Sequence, residues 1–354
     1  MQNMFLNRAF VKQGPPIHLV WFVTGVCNLK CQHCFFHENL NAGKNELSLD
    51  EFDRITSTMS PALAICLTGG ETFLRPDLPE IVDMLCKREL TRNVTMYSNG
   101  FATDTIQSAV EHMTTNWADV SFSVGISIDG FEQTHDRLRG VPGAFKRAMT
   151  TLASLSAMAR RIPNFSFGIQ TTIHAETVHE LPELRSELKA RFGVKPGFTM
   201  IRGDAKDPNL KTVTPQTYRN IIDLNQADIN EAQEASMFKA LVRARESLGH
   251  AMAYETYVSK RRDYDCYGGT LMGVISETGD VYPCEMIDNG LMGNLRDHNY
   301  DLNALWRDAA NAPLRKRIKD RTCHCTYECQ YTCNTLYNVK YWPQYLKAVL
   351  KHAF

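Results

Sequence analysis

The sequence has no charge of one sign in excess: Lys and Arg number 39, as do Asp and Glu, so no uniform electrostatic footprint marks it for nucleic acid. It also lacks long apolar runs. Stretches such as Val120 to Ile128 fall far short of the roughly 18 residues of a membrane-spanning helix. The N-terminus has no signal-peptide h-region, and no repeat recurs at a period of about 20 to 50 residues. Membrane, exported and solenoid proteins are thereby set aside, and a soluble cytoplasmic protein is expected. What is present is an ordinary globular composition, 44% hydrophobic and 22% charged over 354 residues, enough for about two domains with sizeable cores.

Cysteine is the exception, with 11. In a chain without an export signal these do not form a disulfide framework, because a reducing compartment keeps thiols available for metal or catalysis. They fall into groups: Cys27, Cys31 and Cys34; Cys266 and Cys284; Cys323, Cys325, Cys329 and Cys333. Cys66 and Cys86 stand alone in apolar stretches and read as small buried hydrophobes.

Six strand candidates alternate with helix candidates in the first two hundred residues: Ile17 to Thr24, Ala62 to Thr68, Val94 to Ser98, Val120 to Ile128, Phe165 to Ile173 and Gly197 to Ile201. Helix starts are signalled by Ser48 with Glu51, a capping box, and by Asp77 with Glu80. The helix carrying Leu181, Leu184 and Leu188 stops at Gly193. This βα order predicts an α/β fold, either an open doubly wound sheet or a partial barrel with its site at the C-terminal strand ends. Residues 204–263 read as a linker and helical insert. Residues 264–354 hold six cysteines, a hairpin, Leu271 to Ser276 with Val281 to Tyr282, and a closing amphipathic helix from Trp342.

After the first strand comes Cys27-Asn-Leu-Lys-Cys31-Gln-His-Cys34, a loop compact enough to bring three thiolates around one metal cluster while leaving one ligand position open. A structural zinc site is the alternative. This loop resembles the Cys-x3-Cys-x2-Cys hallmark of the radical SAM superfamily. The resemblance implies a partial (β/α)6 barrel spanning residues 1–203, a [4Fe-4S] cluster on Cys27, Cys31 and Cys34, and S-adenosylmethionine bound at the remaining iron. His33 departs from the aromatic residue common there. Gly69-Gly70-Glu71 ends the second strand and is similar to the family's segment for the cofactor's amino group: glycines permit close backbone approach and a carboxylate pairs with an ammonium. The same resemblance extends cofactor contact to Asn99, Ser127 and Arg139, at the ends of or beyond later strands. For Arg137 and Arg139, surface ion pairing is an equal alternative, and Asp129 is read as able to orient a loop.

Cys266, Gly279 and Cys284 resemble the opening of SPASM and twitch extensions, which hold auxiliary iron-sulfur clusters. Cys323, Cys325, Cys329 and Cys333 resemble the second SPASM group with shortened spacings. Six thiolates cannot fill two four-ligand sites, so one auxiliary cluster is favoured over two. A zinc knuckle using His324 stays open for the last group. The basic stretches Lys260 to Arg262 and Arg315 to Arg317 read as solvated helix faces, available to dock a flavodoxin- or ferredoxin-type electron donor. The expected chemistry is reductive cleavage of S-adenosylmethionine to a 5′-deoxyadenosyl radical that takes hydrogen from a substrate. With Cys27 so near the N-terminus, no fused peptide-recognition domain is expected, which tilts the substrate towards a small molecule such as a sugar, aminocyclitol or nucleoside. Modification of a ribosomally made peptide or protein is the alternative. A noncatalytic iron-sulfur carrier or zinc scaffold leaves Gly69-Gly70-Glu71 unexplained.

Overall fold

The structure, a computed structural model, describes residues 14–43, 45–231, 237–326 and 328–353; the Cys329 side chain lies outside the described residues. Strands β1 (His18–Thr24), β2 (Ala64–Gly69), β3 (Asn93–Ser98), β4 (Ser121–Ser127), β5 (Phe165–Ile173) and β6 (Pro196–Met200) alternate with helices α1 (Leu49–Thr58), α2 (Leu78–Lys87), α3 (Thr103–Asn116), α4 (Glu132–Arg139), α5 (Ala144–Ala159) and α6 (Leu181–Phe192). All six strands appear where the sequence predicts them, to within two residues. They pair in parallel in sequence order.

The strands are two-sided. In β4 and just beyond it, Phe122, Val124, Ile126 and Ile128 are fully buried. Alternate positions carry Ser121, Ser123, Gly125 and Ser127 instead, because successive side chains point to opposite faces. The apolar face packs beneath the helices: Trp21 of β1 stacks on Phe52 of α1 with ring centroids 4.7 Å apart, and Leu152 and Leu155 of α5 and Leu184 and Leu188 of α6 join the same core. The other face lines the barrel interior, where Thr68, Ser127, Gln170 and Thr199 border a cavity at the strand ends.

The C-terminal hairpin belongs to the same sheet. β7 (Met272–Ile275) pairs in parallel with β1, then β8 (Asp280–Tyr282) and β9 (Gly293–Asn294) follow antiparallel. The order is β6-β5-β4-β3-β2-β1-β7-β8-β9, an open partial barrel. The segment between β6 and β7 forms α7 (Pro215–Glu231) and α8 (Met237–Ser259). After β9 come α9 (Leu302–Arg307), α10 (Ala312–Lys319), α11 (Glu328–Leu336) and α12 (Trp342–Ala353). α12 packs on α8, where the Tyr345 hydroxyl donates to the Leu241 carbonyl at 2.8 Å. No helix among the described residues is long and apolar enough to cross a membrane.

Local start and stop signals behave unevenly. The capping box at Ser48 forms in both directions, and Gly193 ends α6 with φ 70°. Asp77 does not cap α2; Arg75 takes its carboxylate instead, with Nε 2.5 Å from Oδ1, since a charged partner outcompetes a single backbone N–H.

Glu51 also ties α1 to the C-terminal region. It accepts from Arg296 Nε at 2.6 Å, Arg296 Nη2 at 3.0 Å and the Tyr300 hydroxyl at 3.0 Å. The Arg296 hydrogen bonds, outweighing desolvation, bring its carboxyl down to about 2. A depressed carboxyl contributes stability that is complete above its unfolded value of about 4.3 and lost as pH falls through the folded value. Glu51→Gln is therefore expected to cost about 1 kcal/mol above pH ~5 and progressively less as pH falls towards ~2, read from paired urea melts; a cost independent of pH would refute the ion pair as its source.

Candidate active site

Three thiols stand at the mouth of the barrel because the loop after β1 is strapped down by its main chain. Gly70 N donates to Thr24 O at 2.7 Å and Glu71 N to Val26 O at 2.8 Å. Lys30 N reaches Arg139 O at 3.0 Å and Gln32 N reaches Leu138 O at 2.8 Å, joining the loop to the end of α4. Asn41 brackets Cys27, accepting from its N–H and donating to its carbonyl, both at 3.0 Å. Cys27, Cys31 and Cys34 all line a cavity of about 240 Å³ that is also bordered by Gly69, Gly70, Glu71, Asn99, Ser127 and Arg139. Every residue expected at the cofactor site is thus brought to one space.

The glycines act differently from the expectation that they admit a ligand. A Cβ on Gly69, whose φ is +140°, would meet Thr24 O at 2.2 Å, and one on Gly70 would meet Val26 O at 2.3 Å. They permit close approach of the cysteine loop itself. Glu71 is 2% exposed. It accepts from the Ser98 hydroxyl, Asn99 N and Phe73 N. Burial outweighs these hydrogen bonds and raises its carboxyl. Among the described residues no cation forms an ion pair with it, so a cation entering the cavity would find an uncompensated carboxylate. Asn99 donates to Asn28 Oδ1 at 2.8 Å, bonding the end of β3 to the cysteine loop.

Arg137 and Arg139, alike in sequence, part company. Arg137 makes an exposed ion pair with Glu176. Arg139 is buried, donates through Nε to Asp129 Oδ2 at 2.7 Å, and brings Nη1 within 3.8 Å of Cys31 Sγ. Asp129 is fully buried and also accepts from Thr172 N at 2.9 Å. Burial pushes its carboxyl up, yet the Arg139 guanidinium prevails and holds it below the usual range. His33 uses its ring in packing: it meets His174 edge-on with centroids 4.5 Å apart, and its Nε2 lies 3.6 Å from Asp129 Oδ2. His33, Asp129 and His174 have the spacing of a metal set, but Arg139 already supplies the positive charge there.

Burial raises the thiols of Cys27, to about 12, and Cys34, to about 11, and raises Cys31 against the opposing pull of Arg139. Such thiols become thiolates when a metal cation neutralises them. Cys66, expected to be inert in the core, also borders the cavity; it lies two residues before Thr68 along β2, about 7 Å deeper.

A second, smaller cavity is lined by Cys266, Cys284, Cys323 and Cys325, with His324 and Arg262 at its wall. Burial raises the thiols of Cys266 and Cys284. Cys333 does not border it: fully buried, it lies in an apolar cluster with Ile17, Val20, Phe22 and Tyr337. The two basic stretches are solvated at Lys260, Arg261, Lys316 and Arg317 as expected, but each has one residue turned inward. Arg262 is 4% exposed, and Arg315 donates to the Gly269 carbonyl at 2.8 Å. The two cavities are joined by a pair the sequence reading missed: Arg202, just beyond β6, donates to Glu285 at 2.9 Å, and Glu285 follows Cys284. Both border the larger cavity. Their positions, a barrel strand end and the neighbour of a ligand cysteine, were the available signals.

A model of the radical SAM superfamily matches residues 21–188. Residues 21–188 are a radical SAM domain. Along nearly its whole length it is similar to the AdoMet-dependent heme synthase of Methanosarcina barkeri, 28% identical over 86% of this chain and 85% of the relative. It is also similar to the sporulation killing factor maturation protein SkfB of Bacillus subtilis, 26% identical over 88% of this chain and 69% of the relative. In fold it resembles Streptococcus suis SuiB bound to the precursor peptide SuiA, with TM-score 0.59, 13% identity, and coverage of 91% of this chain and 72% of that one. This radical SAM enzyme uses a [4Fe-4S] cluster and S-adenosylmethionine, with an auxiliary iron-sulfur cluster of the SPASM/twitch kind. The three buried thiols and the uncompensated Glu71 fit the first two, and the four thiols of the smaller cavity fit the third.

Asp129 should be indispensable to this arrangement. Asp129→Asn leaves Arg139 buried without its counter-charge and is expected to lower the unfolding free energy by about 3–5 kcal/mol, measured by urea denaturation; a loss below about 1 kcal/mol, the worth of an exposed pair, would contradict that role.

Proposed function

We propose that this radical SAM enzyme takes hydrogen from a side chain of a ribosomally made peptide and so modifies it oxidatively. The observation that carries the reading is the likeness along most of this chain to proteins of peptide maturation, in fold to SuiB, solved with its precursor peptide SuiA. The match to SkfB across most of this chain supports the same substrate class, and the relatives named above favour it over the sugar or nucleoside expected from the sequence. A second reading, radical oxidation of a tetrapyrrole, rests on the heme synthase match.

Cys27, Cys31 and Cys34 would hold the cluster, which would supply the one-electron chemistry for reductive cleavage of S-adenosylmethionine. The chain itself supplies placement and dryness. Glu71 offers its buried carboxylate to the cofactor's ammonium group. Asn99 and Asn28 fix the loop against β3, and Arg139 holds Cys31 from behind. Ser127, Gln170 and Thr199 give the interior wall polar groups to orient a bound molecule, while Arg202 and Glu285 close the side towards the auxiliary cysteines. Fixing reactants in a water-excluded space is the main contribution a protein can make to such chemistry. In this reading Cys266, Cys284, Cys323 and Cys325 hold one auxiliary cluster that accepts an electron from the substrate radical, and Cys333 serves packing. A flavodoxin- or ferredoxin-type protein delivers the first electron.

Anaerobically reconstituted protein given dithionite and S-adenosylmethionine is expected to release 5′-deoxyadenosine. Cys27→Ala, Cys31→Ala or Cys34→Ala should abolish the release and Cys66→Ala should not. Cys266→Ala and Cys284→Ala should leave uncoupled cleavage but no product. Mass spectrometry of short peptides encoded beside the gene separates the substrates: loss of hydrogen from one of them supports peptide modification. Loss of carbon dioxide from an iron tetrapyrrole, with the peptides untouched, would overturn it in favour of the second reading.

A further inference from the structure

Arg262 is a buried cation without a carboxylate. Its Nη2 donates to the Ile318 carbonyl and its guanidinium carbon lies 5.9 Å from the Tyr264 ring centroid; Nε and Nη1 find no oxygen or nitrogen partner, and the guanidinium's remaining hydrogen bonding is towards the Cys266 thiol. The nearby acids are engaged elsewhere: Asp263 pairs with Arg261, and Asp265 with Arg321 and Lys340. Among the described residues no carboxylate forms an ion pair with Arg262. A guanidinium does not shed its proton, and an unpaired buried charge is among the most expensive features a fold can carry. Yet Arg262 lines the same small cavity as Cys266, Cys284, Cys323 and Cys325, and its field favours the thiolate of Cys266. The missing negative charge belongs to what that cavity takes in. A four-thiolate iron-sulfur cluster is an anion in both oxidation states and gains one further negative charge on reduction.

We propose that Arg262 is the counter-charge of the auxiliary cluster and raises its reduction potential by favouring the more negative, reduced state. This rests on the reading of the four cysteines as iron-sulfur ligands. Cluster potentials respond to local charge and to hydrogen bonds at sulfur, and two guanidinium nitrogens are available for both. In the reaction, one electron leaves the substrate radical, which is oxidised, and enters the cluster. No proton needs to follow it, because the guanidinium already carries the compensating charge. Arg262 thus makes the cluster a better acceptor without touching substrate.

The test uses the full chain with Cys27, Cys31 and Cys34 replaced by Ala, so that only the auxiliary site takes iron. In an EPR-monitored redox titration, Arg262→Gln is expected to lower the midpoint potential by at least a tenfold change in the oxidised-to-reduced ratio, about 59 mV for one electron. Arg262→Lys should retain most of the parental potential. An unchanged potential in Arg262→Gln overturns the proposal. Thermal melts give a second measure that survives poor cluster loading. Arg262→Met should raise the melting temperature of the metal-free chain, by removing an uncompensated charge, and lower that of the loaded chain. A fall in both would mean a purely structural bond to Ile318 and overturn the proposal. If the site takes zinc and refuses iron while the opposite-signed melting shifts persist, the cluster reading fails but the counter-charge role stands.

Discussion

The barrel mouth depends on main-chain contact between the cysteine loop and the end of β2. Hydrogen bonds from Gly70 N to Thr24 O and from Glu71 N to Val26 O need two backbones closer than any Cβ allows, and only glycine at 69 and 70 leaves that space. The same contact sets the thiols and the Glu71 carboxylate on one cavity wall. Lys30 and Gln32 extend the strap to the end of α4, so the loop takes its position from β1, β2 and α4 together. A loop held by backbone on two sides can present three cysteines in a fixed array before any metal arrives, which lowers the ordering entropy that metal binding must overcome.

How far the sequence discloses this follows the range of the interactions involved. Period-2 alternation and local caps are short-range, and the six barrel strands, the Ser48–Glu51 box and the Gly193 stop were readable from neighbours alone. Cysteine spacing carried the first site for the same reason, since Cys27, Cys31 and Cys34 lie within one loop. The pairing of β7 with β1 was not readable, because a strand some 250 residues away in the chain leaves no local mark. Asp77 shows the limit of a local rule: a favourable cap residue lost its role to Arg75. Among the last four cysteines the described geometry places Cys323 and Cys325 at the cavity and buries Cys333 in an apolar cluster that Cys325 also touches. That distinction depends on how α11 packs against β1 and β7, which spacing does not encode.

Arg202 and Glu285 show how two cysteine sites become one working space. Cys34 precedes Phe35, whose ring lies 5.3 Å from the Arg202 guanidinium; Arg202 meets Glu285, and Glu285 follows Cys284. The Glu285 side chain is only 5% exposed, so the pair sits where screening is weak and its geometry is well determined. Both residues border the larger cavity, so the chain that carries Cys284 reaches its wall.

The two buried arginines beside cysteine, Arg139 and Arg262, look equivalent in composition and differ in their charge balance. Arg139 has Asp129 as a full counter-charge, so its presence near Cys31 is neutral overall and its chief effect is geometric: it fixes one thiol and one strand end. Among the described residues Arg262 meets a carbonyl, the Tyr264 ring and the cavity's thiols but no carboxylate, so its charge remains available to act on whatever occupies that cavity. A compensated pair suits a site whose open iron position must stay accessible to a charged cofactor. An uncompensated cation suits a closed site, whose occupant has to hold an extra electron. The difference in charge pairing would suit the proposed roles, an N-terminal centre that gives up an electron and a C-terminal centre that receives one.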